Sequence, residues 1–145
     1  MFEKINETVK EFVKSIDEEY DCRMGLDFMA CLDENVVVWS LLCTETSSKA
    51  FYDNFVSRFP KAKGFSFFTL SILHEVGHLE TEWEMEDDVE IRNSKMTNEE
   101  YFNLFNEIIA TDWAGSWIEN NFQKAINLDD IFRNVLNNFY AETLD

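Results

Sequence analysis

His74 and His78 are the only histidines in the chain, and both fall within His74-Glu75-Val76-Gly77-His78. On a helix, side chains four residues apart share one face, so both imidazoles can reach a single metal ion. Neutral imidazole is a natural zinc ligand, and a glutamate directly after the first histidine stands where a zinc-activated water would find its general base. The chemistry such a group performs is hydrolysis at a polarised carbonyl, with Glu75 as base and His74 and His78 as metal ligands.

A catalytic zinc site takes three protein ligands and keeps one position open. With no third histidine and no C-x-x-C pair among Cys22, Cys31 and Cys43, the third ligand has to be a carboxylate, of which the chain has 29. Glu107 stands out because it lies in an apolar stretch, Asn106-Glu107-Ile108-Ile109-Ala110-Thr111-Asp112-Trp113-Ala114. A glutamate buried there needs a reason, and a metal supplies one. Ala110, Ala114 and Gly115 are small, as is Gly77, so two helices can approach closely enough to share an ion. Other carboxylates remain open as ligands at this stage.

The two segments together resemble the ImmA/IrrE-type metallopeptidases of phages and mobile elements, which pair H-E-x-x-H with a downstream E-x-x-A-x-x-[FW]-A. The resemblance covers roughly His74 to Ala114. It implies a minimal zincin-like, gluzincin-like domain, with His74, His78 and Glu107 as zinc ligands and Glu75 as base. It also implies a protein or peptide substrate, such as a regulatory protein of a mobile element. Asn106-Glu107 with Asp112 is more loosely similar to the thermolysin-like N-E-x-x-x-D, but here Thr111 stands where that pattern has its aspartate. The metzincin extension fails, because position 81 is Thr and position 84 is Glu. For the oxyanion of a peptide hydrolysis, Tyr52, Tyr101 and Arg92 are the donors considered, with no ground for choosing among them.

These residues need elements to position them. Phe2, Ile5, Val9, Phe12, Val13, Ile16 and Tyr20 recur at helical spacing. Val36-Val37-Val38-Trp39-Ser40-Leu41-Leu42 is the strongest strand; after the turn signal Asp33-Glu34-Asn35 it predicts an antiparallel hairpin with residues 21–32. If that strand lies at a sheet edge, an extended substrate could add to it. Ser47 or Ser48 opens a helix to about Arg58, and Pro60 to Gly64 breaks it. The motif helix, about Phe65 to Leu79, is apolar on most sides and therefore buried. Thr97-Asn98-Glu99-Glu100 is a capping box that starts a helix running to about Asn120, and Asn127-Leu128-Asp129-Asp130 opens the last helix. The expectation is one α+β domain over residues 1–145, mostly helical with a small antiparallel sheet.

Composition sets the outer limits. A content of 46% hydrophobic residues with 14 Phe and 4 Trp excludes a disordered chain. The net charge of −17 disfavours direct nucleic-acid binding and anionic membranes and favours basic substrates or partners. Seven acidic residues between Glu80 and Glu90 read as a solvated loop. The charged N-terminal residues, the unpaired cysteines and the shortness of the longest apolar run predict a reduced, cytoplasmic protein. A competing reading is a non-enzymatic acidic protein that imitates nucleic acid on a basic partner, with a structural or vestigial zinc site.

Overall fold

The computed structural model describes residues 2–84 and 96–143. The order is α1 (Glu3–Ile16), β1 (Asp21–Met24), β2 (Met29–Cys31), β3 (Val36–Trp39), α2 (Lys49–Arg58), α3 (Phe67–Glu80), α4 (Asn98–Phe102), α5 (Phe105–Asn120) and α6 (Phe122–Thr143), with short 3-10 turns at 32–34, 60–62 and 82–84. The fold is α+β and mostly helical. None of the described helices is long and apolar enough to cross a membrane.

The sheet corrects the expected hairpin. Its order is β1-β3-β2, with β2 antiparallel to β3 and β1 parallel to it, so the sheet is mixed. Only Met29–Cys31 forms the antiparallel hairpin arm, closed through Asn35 in the left-handed conformation at φ 56°. Residues 21–24 and 29–31 run in opposite directions because the chain reverses between them, and β3 inserts in the gap. The reversal hugs β3: Gly25 donates its N–H to the Trp39 carbonyl at 2.7 Å, and a Cβ at Gly25 would strike Val38. β3 is therefore the central strand, which explains its unbroken apolar run. It also removes the Val36–Leu42 strand as an edge for substrate addition; the edges are β1 and β2.

α1 buries Ile5, Val9, Phe12 and Val13, as its spacing predicts, and packs on β1 and α6. Asn6 ties it to the sheet by accepting the buried Trp39 indole N–H at 2.8 Å. Leaving that N–H unmade would cost about 1–3 kcal/mol. The other side of the sheet belongs to α3, which packs against β2 and β3 and also against α5 and α6.

Two helix boundaries differ from expectation. The helix predicted from Thr97 to Asn120 is two helices, because Leu104 is extended (φ −62°, ψ 140°). Thr97 does accept the Glu100 N–H, but it caps only the short α4. No Gly or Pro marks the break; α4 is turned by its packing against α2 and α5. The last helix begins at Phe122 rather than near Asn127. Asp129 does not cap its own helix, and its carboxylate faces α3 instead.

Candidate metal centre and cleft

α3 is buried almost all round, including His74 and Glu75. Its N-terminus is set by Ser66, whose Oγ accepts the Thr69 N–H at 3.2 Å. Asp129 of α6 then locks that end: its Oδ1 accepts from Ser66 N–H at 3.0 Å, Ser66 Oγ at 3.0 Å and Thr69 Oγ1 at 2.6 Å, while Arg133 Nε donates to Oδ2 at 2.7 Å. At the other end Tyr20 donates to Glu80 Oε2 at 2.7 Å. Burial together with that bond pushes the Tyr20 phenol well above its ordinary range. α3 is thus a fixed platform.

α5 crosses it at Gly77. A Cβ there would strike the Ala110 carbonyl, so the small pair Gly77 and Ala110 permits the contact that the sequence anticipated. Gly115 serves a different neighbour, since the space a side chain would take is filled by the Phe59 ring. The close crossing brings Glu107, in the first turn of α5, onto both imidazoles. Glu107 Oε1 lies 3.0 Å from His74 Nε2, and Oε2 lies 3.0 Å from His78 Nε2. Burial opposes the Glu107 charge, but the bonds from the two imidazoles outweigh it and hold the carboxyl well below the usual range.

His74, His78 and Glu107 each offer one ligand atom, all within 4.8 Å of one another, so the group could hold a metal ion. Around a tetrahedral ion with bonds of about 2.0–2.2 Å, donors stand roughly 3.3 Å apart. The 3.0 Å His–Glu separations run to the two different carboxylate oxygens and need a few tenths of an ångström of opening, while the widest donor separation, within 4.8 Å, has to close on an ion. The donor set therefore fits a divalent ion of borderline character. Thr111, noted in the sequence only as a departure from an aspartate pattern, completes the arrangement: its Oγ1 lies 3.0 Å from His74 Nδ1. As an acceptor it holds a proton on Nδ1 and leaves the Nε2 lone pair for a ligand bond. The available signal was its position four residues after Glu107, on the same face of α5. Phe51 of α2 stacks edge-on to His74 at 5.3 Å between ring centroids and fixes the ring from the other side. Asp112 has another task, pairing with Arg58.

Glu75 lies beside this group and lines the same cleft, of about 350 Å³, with His74, Glu107, Phe51, Tyr101 and Phe102. It is only 8% exposed, yet its carboxylate makes no hydrogen bond to any described residue. Every fully enclosed side-chain N or O among the described residues is satisfied, so the unbonded Glu75 oxygens are ones that the cleft reaches. Desolvation pushes its carboxyl up, against the pull of the two imidazoles, with Glu107 and Asp27 adding to the rise. A carboxylate with raised proton affinity in a cleft is the ordinary form of a general base.

Of the three oxyanion donors considered, Tyr101 lines the cleft. Tyr52 lines a different, larger cavity of about 530 Å³, and its hydroxyl accepts the Gly64 N–H at 3.0 Å. Arg92 lies outside the described residues, as does most of the acidic run from Glu80 to Glu90. Among the described residues the larger cavity shares no lining residue with the cleft, and its cations are engaged: Lys49 with Asp53, and Arg133 with Asp129 and the Gly64 carbonyl. The three cysteines are free thiols, Cys22 buried and the others half-buried.

No family model matches the chain, and comparison with curated proteins and with solved structures likewise found no match.

Proposed function

We propose that the chain is a zinc-dependent endopeptidase of zincin type, related to the ImmA/IrrE metallopeptidases, with His74, His78 and Glu107 as zinc ligands and Glu75 as general base. The observation that carries this reading is the pairing of a convergent His-His-Glu group with a desolvated, unbonded glutamate in one cleft. A bound zinc ion supplies a water acidic enough to ionise near neutral pH and polarises the scissile carbonyl. Thr111 and Phe51 keep His74 in the ligating tautomer and orientation. Glu75 accepts the proton of the attacking water as the C–O bond forms, and delivers it to the amine nitrogen as the C–N bond breaks. Tyr101 is the candidate hydroxyl donor to the oxyanion. Among the sheet edges, β2 runs directly after the cleft residue Phe28 and is the strand that an extended peptide would join.

A second reading rests on the net charge of −17: an acidic protein docking on a basic partner, with the metal group serving the fold. Glu75→Gln separates the two. It removes the base and leaves the three ligands in place. Peptide cleavage by the zinc-loaded protein should fall by about 10²–10⁴-fold with bound zinc unchanged. Cleavage that survives the substitution would overturn Glu75 as base; a biological effect that survives it would favour docking.

A further inference from the structure

Among the described residues three carboxylates line the cleft; Glu75 and Glu107 have been given roles in that machinery, and the third, Asp27, has none. It sits in the reversal between β1 and β2, exposed to solvent. Its side chain is nevertheless held. Oδ1 accepts the Phe28 N–H at 2.8 Å and the Cys43 thiol at 3.3 Å, which fills that oxygen. Oδ2 takes no hydrogen bond among the described residues, and no lysine or arginine of those residues pairs with it. The Phe28 ring anchors the segment on α3, edge-on to Phe68 at 5.4 Å.

Around this fixed charge the cleft has aromatic walls, Phe28, Phe51 and Phe102, and among the described residues no lysine or arginine lines it. A volume of about 350 Å³ lies at the small end for ligand sites, which run to about 1,000 Å³, so few side chains can enter it. Aromatic walls with one carboxylate at the rim suit a side chain with a long apolar stem and a cationic tip. A small side chain would leave the walls wet, and an acidic one would meet the Asp27 charge.

We propose that Asp27 is a specificity-determining residue that binds a lysine or arginine side chain next to the scissile bond. The inference rests on the peptidase reading of the cleft. Because only Oδ2 is left to accept, the contact is a single point rather than a two-pronged clasp. An ammonium therefore serves as well as a guanidinium.

The test uses the full chain loaded with one equivalent of zinc and carrying Glu75→Gln, so that bound peptide is not consumed. The probes are capped alanine hexapeptides in which one residue is lysine, arginine or norleucine, the last keeping the stem without the charge. Calorimetric titration at low ionic strength should show the lysine peptide binding roughly five- to tenfold more tightly than the norleucine peptide. Arginine should match lysine, and adding Asp27→Asn should bring the three together without lowering the melting temperature. Equal binding of lysine and norleucine, no binding of any peptide, or a preference that survives Asp27→Asn would overturn the inference. Incubating the same peptides with the zinc-loaded chain bearing Glu75 tests hydrolysis separately. Intact peptides alongside a lysine preference would overturn the peptidase reading and leave the cation subsite standing.

Discussion

Two carboxylates grip α3 from neighbouring helices, Asp129 from α6 at its N-terminus and Glu107 from α5 along its middle, and their partners differ in kind. Asp129 is met by two hydroxyls, a backbone N–H and a guanidinium, groups that can only donate or that donate readily. That clasp is complete within the protein. Glu107 is met by two imidazole nitrogens, each of which donates when protonated and offers a lone pair when not. Glu107 also adjoins a cleft, whereas Asp129 is buried against the helix end. The difference teaches how to tell a carboxylate that serves only the fold from one that could take a metal. Burial is common to both, and what separates them is whether the partners can exchange a proton for a metal.

The largest effect that could break this comparison is expected from Glu107→Ala. Zinc affinity, read by competition with a chelator, should fall by more than the ~10–100-fold typical of an outer-shell loss. An affinity close to that of the unsubstituted protein would remove Glu107 from the ligand set and make the two carboxylates equivalent.

Asp129→Asn sharpens the other half. It should cost about 1.5–3 kcal/mol in urea unfolding, the worth of a hydrogen bond to a charged group, while zinc affinity stays within a few-fold. Burial works against the Asp129 charge, but Arg133, Thr69 and Ser66 outweigh it and hold the carboxyl below its ordinary range. A carboxyl depressed on folding contributes its full stability above its unfolded pKa of about 4, and loses it as pH falls through the lower folded value. The protein with Asp129 should therefore lose its advantage over Asp129→Asn on acidification below about pH 4. An advantage unchanged to pH 2 would contradict the ionic character of the clasp.

The group that could hold a metal was partly legible in the sequence, the two histidines through local spacing and Glu107 as one candidate among several carboxylates. His74 and His78 are one turn apart, and Glu107 betrays itself by its apolar surroundings and by the small residues that let two helices meet. The residues that finish the site were hidden, since they depend on contacts between elements distant in sequence. Thr111 looks like any helix threonine until His74 lies beside it. Asp129 sits in a segment, Asn127 to Asp130, that imitates a helix start, yet its bonds reach α3 and its N-cap, 60 and 63 residues upstream. Leu104 breaks a helix without Gly or Pro because tertiary packing turns α4 onto α2 and α5. The parallel pairing of β1 with β3 was equally invisible. Strand composition announces that Val36–Trp39 is buried on both faces, but not which neighbour runs which way.

The central claim is that His74, His78 and Glu107 hold a zinc ion with a position left for solvent. X-ray absorption at the zinc edge, on protein loaded and freed of excess metal, tests it most directly. The account predicts one zinc per chain, in a shell of nitrogen and oxygen at about 2.0–2.2 Å that includes two imidazoles and at least one oxygen exchangeable for an added anion. Substoichiometric zinc, or a sulfur ligand at about 2.3 Å drawn from one of the three cysteines, would contradict it.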